Sequence, residues 1–228
     1  MTNSIFLFVL AAAAATMYIV TARMIKKGCY FIRLWKNLAK TVVVFILAAV
    51  ALLIILICVN TLFPGSIGPL SNIEIFTFFP QWGSNRGATW SAGVMCFSEQ
   101  NFLHKLVGVG PDCMSSYLYG DSSPKLLALV NERFGTLRLT NAHNEWLTIL
   151  VNMGILGFTG YAGMMITGIF RYIGQRKINF IAGAAGFCLL AYTVNNMFSF
   201  QQAMNTPTMF VIFGMGEAYM RKNMNVLE

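Results

Sequence analysis

Charge is what this sequence has least of. Charged side chains make up 11% of its 228 residues and hydrophobic ones 57%, with a mean hydropathy of +0.63. An ordinary soluble domain carries roughly 25% charged residues. The shortage excludes a disordered chain, a nucleic-acid-binding domain and most soluble enzymes. Histidine occurs twice, with no pair at metal-ligand spacing, so no metal site is expected. Nothing in the chain calls for a cofactor. The five cysteines include no C-x-x-C pair. Cys96 and Cys113 share one loop, which leaves either a disulfide or two free thiols. No repeat or low-complexity segment appears beyond the alanine run Ala11–Ala15.

What is present is a series of long apolar runs. A helix crosses the hydrocarbon core with roughly 20 apolar residues. Residues 4–21, 41–63, 145–170 and 179–200 meet that requirement, and 206–220 is shorter and carries Glu217. The expected fold is therefore all-α, a polytopic membrane bundle of about five spans. A secretory signal would place its positive charge before its apolar core. Here no Lys or Arg precedes Arg23, so the first segment reads as a retained helix with its N-terminus outside.

The positions of the charges give an orientation. Arg23, Lys26, Lys27, Arg33, Lys36, Lys40, Arg171, Arg176, Lys177, Arg221 and Lys222 all follow odd-numbered spans. Cationic loops stay on the cytoplasmic side. The C-terminus is then cytoplasmic, in a bacterial inner membrane. The net charge of +8 is met by anionic headgroups rather than nucleic acid. Three regions result: 1–63 with two spans and a basic cytoplasmic loop, 64–144 as a long extracytoplasmic loop, and 145–228 with three spans. Long loops on a rigid scaffold are where function concentrates.

Within that loop, Pro64-Gly65 and Gly68-Pro69 mark turns, and Ile73 to Pro80 reads as an interfacial segment. A helix is expected over about 86–103, with Trp90, Val94 and Phe97 as its apolar stripe and Ser84 or Asn85 as its cap. A second is expected over 124–134. Gly108-Val109-Gly110-Pro111 lacks the third glycine of a dinucleotide site, and by spacing alone it reads as a turn. Gly154, Gly157, Gly160 and Gly163 offer a small-residue stripe for helix packing, and Ala182 to Gly186 offers another. Asn195 and Asn196 either line a groove or bond across helices.

Two side chains stand out chemically. His143 sits at the head of the third span, with Asn141 as the expected N-cap. The positive end of the helix favours a neutral ring, and Glu145 favours the charged one. The ring is either a proton acceptor or a capping group. Arg86 stands at the outer boundary, where a guanidinium meets either lipid phosphate or a diphosphate.

In order and placement, Arg86-Gly-Ala-Thr-Trp90, Leu106-Val-Gly108-Val-Gly110-Pro111, Ala142-His143-Asn144-Glu-Trp-Leu147 and Gly154-Ile-Leu-Gly157 resemble the O-antigen ligase and polymerase superfamily of envelope glycan enzymes. The resemblance covers about residues 60–220. It implies a metal-independent, inverting glycosyltransferase without cofactor. Such an enzyme takes a glycan from an undecaprenyl-diphosphate carrier and joins it to a glycan or lipid acceptor hydroxyl. It further implies that Arg86 holds the diphosphate and His143 acts as base or orients the acceptor. Asn144 and Glu145 would set the ring, Gly108 and Gly110 would allow close approach, and Trp90 would belong to the binding site. The superfamily fold has many more spans than are counted here. The chain then corresponds to its C-terminal half, with a separate chain as one source of the remaining helices. The competing expectation is a non-catalytic or truncated membrane module.

Overall fold

The computed structural model describes residues 32–175 and 180–224; the first expected span, 4–21, and Arg23, Lys26, Lys27, Arg176 and Lys177 lie outside them. Every regular element among the described residues is helical. The chain divides into two units, meeting at Thr77 and Phe78.

The first unit carries helix α1 (Ile32–Leu62) and two short 3-10 turns, Gly68–Asn72 and Glu74–Phe76. No glycine or proline interrupts residues 32–62, so the helix runs on through 33–40, a stretch expected in a cytoplasmic loop. Pro64 and Gly65 stop it. Asn60, almost fully buried, donates to Thr77 Oγ1 at 2.8 Å and accepts from the Gly65 amide at 3.3 Å, fastening the turns to the helix end.

The second unit contains α2 (Trp82–Glu99), α3 (Phe102–Val107), α4 (Met114–Gly120), α5 (Pro124–Phe134), α6 (Glu145–Gly174), α7 (Phe180–Asn195) and α8 (Asn205–Met224). Its segment 82–142 is a folded helical layer with its own core, built on Ala92, Cys96, Met114, Leu118, Leu126 and Val130. Helix α5 has the expected bounds because Ser123 caps it, accepting from the Leu126 amide at 3.2 Å, and Pro124 opens it. In α2 the expected stripe is covered in part: Phe97 packs against this core and Trp90 is half-buried. Val94 is 53% exposed, while Gly87, Ala88, Ala92, Gly93 and Cys96 are buried. Small residues win because neighbouring segments come close: a methyl on Gly87 would lie 1.9 Å from the Phe79 carbonyl oxygen, and one on Gly93 3.0 Å from Ala142 Cβ. Cys96 and Cys113 are free thiols.

Helices α6, α7 and α8 form a bundle around Met165, Ile169, Tyr172, Leu189 and Met209. Among the described residues α6 is long and apolar enough to cross a membrane, and Ala48–Leu62 and α7 are shorter apolar helices. Glu217, the polar intruder in the last apolar run, pairs with Arg171 at 3.3 Å and Arg221 at 3.1 Å. The C-terminal ends of α6 and α8 therefore lie together.

The expected glycines pack in part: Gly154 meets the backbone of Leu106 and Gly108, and Gly183 and Gly186 of the second expected stripe are buried. Gly160 and Gly163 face open space, whereas Gly168 meets Phe213 and Leu189, Gly186 meets Ile173 and Tyr172, and Gly216 meets Tyr172. A three-residue repeat drifts around a helix of 3.6 residues per turn, so it cannot hold one face.

Candidate active site

The site begins with a break in α6. Gly154 has φ 64° and ψ −171°, which interrupts the helix nine residues after its start. A break of this kind frees carbonyls that must be satisfied elsewhere. The amides of Val109 and Gly110 donate to the carbonyls of Val151 (3.2 Å) and Asn152 (2.9 Å), and Gln100 Nε2 also donates to Val151 (3.1 Å). Asn152 Oδ1 accepts from the Met114 amide at 2.8 Å. Gly108 and Gly110 have φ 82° and 117°. Their close approach is thus to the α6 backbone: a methyl on Gly108 would lie 2.1 Å from the Asn152 carbonyl oxygen.

The head of α6 is set by Asn144 rather than by the expected Asn141. Its side chain accepts from the Leu147 amide at 3.1 Å, the third residue of the helix, as an N-cap does. Asn141 instead accepts from the His143 amide at 2.9 Å in a local turn. That turn holds His143 at φ 49°, a conformation uncommon for any residue but glycine. Thr148 closes the corner, accepting from the Ala142 amide at 3.1 Å and donating to the Asn144 carbonyl at 2.9 Å.

His143 is half-buried. Its ring meets Phe200 edge to face, with centroids 5.2 Å apart, and its Nδ1 is buried without a hydrogen-bond partner. Burial holds the imidazole below its ordinary value; the Asn141 backbone pulls the other way and the Arg86 charge pushes it lower still. The neutral ring is therefore the favoured form near neutral pH. Glu145 does not supply the opposing pull expected from its place in the sequence. Its carboxylate turns into the bundle and accepts from Tyr161, Asn196 and Gln201.

Arg86 stands where α2 becomes regular. Gly83, Ser84 and Asn85 before it are left-handed, and the side chain of Asn85 accepts from Arg133 Nε at 2.7 Å instead of capping the helix. The guanidinium donates from Nε to the Phe198 carbonyl (3.1 Å) and from Nη1 to the Gly83 carbonyl (2.8 Å). No carboxylate pairs with it among the described residues. Trp90 lies one turn on, 5.7 Å from both the Trp82 and the Phe198 rings and 6.4 Å from Phe78.

Arg86 and His143, 57 positions apart, thus converge on one short segment between α7 and α8. Phe198 and Phe200 in that segment went unnoticed in the sequence. The neighbouring Asn195-Asn196 and Gln201-Gln202 pairs, polar residues ending an apolar run, were the available signal. A cleft of about 540 Å³ is lined by Asp112, Asn141, Glu145, Met153, Phe200 and Gln201 among others; neither His143 nor Arg86 lines it.

Comparison with curated proteins and with solved structures gives no match. A family model described as O-antigen ligase matches residues 2–162, more than half of the chain. The match begins earlier than the resemblance in the sequence and stops before α7 and α8. It contains Arg86, Trp90, Gly108, Gly110, His143, Asn144 and Glu145. The chain belongs to the O-antigen ligase family.

Proposed function

We propose that this protein is a membrane glycan ligase or polymerase that moves a saccharide from an undecaprenyl-diphosphate carrier to an acceptor hydroxyl. The observation that carries the reading is the convergence of Arg86, which has no carboxylate partner among the described residues, and His143 on Phe198 and Phe200 of one short segment. In the step, the acceptor oxygen bonds to the anomeric carbon as the bond from that carbon to the diphosphate oxygen breaks, inverting the centre. His143 takes the hydroxyl proton, and the bonding electrons leave with the diphosphate. Negative charge builds on the departing oxygen, so a fixed guanidinium at that point stabilises the transition state more than the ground state.

The charge distribution supports a site on the non-cytoplasmic side. Arg171 and Arg221 cluster on Glu217 at one end of the bundle, while the N-terminus of α6, with His143, is at the other. Basic residues mark the cytoplasmic end. The polyprenyl tail of the donor accounts for an enzyme embedded in lipid.

The test is transfer from a radiolabelled undecaprenyl-diphosphate glycan in membranes holding the full chain. Arg86→Ala and His143→Ala are each expected to lower transfer by about 10²-fold or more, the usual scale for a positioned base, with membrane insertion unchanged. Normal transfer by both variants overturns the assignment.

A further inference from the structure

We infer that Glu145 is the positioning residue of this site: its buried carboxylate anchors both ends of the strap 196–201, whose Phe198 carbonyl and Phe200 ring hold Arg86 and His143. The inference rests on the roles given to those two side chains above.

Glu145 is 1% exposed. Its amide donates to the Asn196 carbonyl at 2.9 Å, and its Oε2 accepts from Asn196 Nδ2. Its Oε1 accepts from Gln201 Nε2 at 3.2 Å and from the hydroxyl of Tyr161, which lies beyond the Gly154 break in α6. One carboxylate therefore grips the first and last residues of the strap. Between those grips the backbone amides of Ser199, Phe200 and Gln201 make no backbone hydrogen bond among the described residues. The shape of the strap is thus left to its side-chain anchors. Phe198 accepts from Arg86 Nε at 3.1 Å through its carbonyl and packs its ring on Trp90, while Phe200 lies against the His143 ring.

The residue type matters as much as the place. A carboxylate is acceptor-only, and here three donors converge on it. A polar group held away from water is costly unless hydrogen-bonded, and these donors offset that cost. A glutamine would turn an NH₂ toward a donor and lose the match. Exchanging both residues, Glu145→Gln with Asn196→Asp, restores it: the glutamine NH₂ donates to the new carboxylate, and its oxygen still accepts from Tyr161 and Gln201. The Asn195 side chain, which donates to Asn196 Oδ1 at 3.2 Å, keeps its acceptor.

The experiment uses the full chain in lipid nanodiscs, labelled with ¹³C,¹⁵N-histidine in a His104→Gln background, so that His143 alone reports. Phe200→Leu marks where its ring resonances fall without the aromatic neighbour. Glu145→Gln is expected to move the resonances toward those positions and to lower glycan transfer on the order of 10–10²-fold, the cost of a small misplacement. The double exchange is expected to return both. Gln201→Ala, which releases one end only, is expected to move the resonances in the same direction and serves if Glu145→Gln does not fold. Resonances unmoved in Glu145→Gln and Gln201→Ala, or not restored by the double exchange, overturn the inference. The resonances are read without any transfer reaction, so they decide the strap even if the Arg86 and His143 variants retain transfer.

Discussion

Gly108 and Gly154 meet backbone to backbone: a methyl group on Gly154 would lie 2.5 Å from the Gly108 nitrogen and 2.4 Å from the Leu106 carbonyl. This crossing fixes the G-x-G-P passage against the broken turn of α6, and through α6 it fixes the level at which His143 emerges. Gly154→Ala places a Cβ at a positive φ and into backbone. Left-handed strain alone costs about 1–3 kcal/mol, and the clash adds to it. Thermal unfolding in detergent is expected to shift down strongly for Gly154→Ala and Gly108→Ala. Gly160→Ala and Gly163→Ala meet nothing within 4 Å and are expected to leave the midpoint within a few degrees.

The protonation of His143 sets a pH limb. A base works when deprotonated, and this ring is held below its ordinary 6.5, first by burial. Transfer measured as kcat/KM is expected to be at its plateau at neutral pH and to fall only as pH drops through a value under 6.5. Arg86→Gln removes a charge that pushes the ring lower, so the limb should move up in the residual activity. Stability follows the same sign. The unfolded chain binds the proton more readily, so the fold loses stability as pH falls below 6.5. Equilibrium unfolding of wild type and His143→Gln across that range checks it: the variant should lack this component.

Cys96 and Cys113 should differ in reactivity. Cys96 is buried in the α2–α5 core, and burial first, then the Glu99 charge, pushes its thiol up to about 12. A thiol rather than thiolate is unreactive. With the other cysteines replaced by serine, a maleimide at pH 7.5 is expected to modify Cys113 in the folded protein and to reach Cys96 only after denaturation. Equal labelling rates would contradict this burial.

The orientation proposed for the site is open to a direct check. Single cysteines at Ser122 and at Arg221, in a cysteine-free background, should respond oppositely to a membrane-impermeant reagent on intact cells. The first is expected to label and the second only after permeabilisation. Labelling of the second alone would place the Arg86–His143 end in the cytosol.

Local signals explain where the sequence was readable. Helix α5 was legible because Ser123 and Pro124 specify a helix start within a few residues. The head of α6 was legible because His-Asn-Glu stands directly before a long apolar run. The stripe on α2 and the glycine series on α6 were legible in part, Phe97 and Gly154 packing while Val94, Gly160 and Gly163 do not, because periodicity says which residues share a face and not which face a neighbour covers. Cap identity failed similarly: Asn141 and Asn144 are alike in composition, and only the backbone angles at His143 separate them.

Composition and the spacing of apolar runs determined by themselves that the chain is helical and suited to a membrane, since those properties depend on local hydrophobicity and turn chemistry. Only the tertiary structure decided that Glu145 faces away from its sequence neighbour His143. It also decided that a strap more than 50 residues downstream joins the imidazole to the guanidinium. Contacts between distant segments depend on how helices pack, and no local pattern encodes that distance.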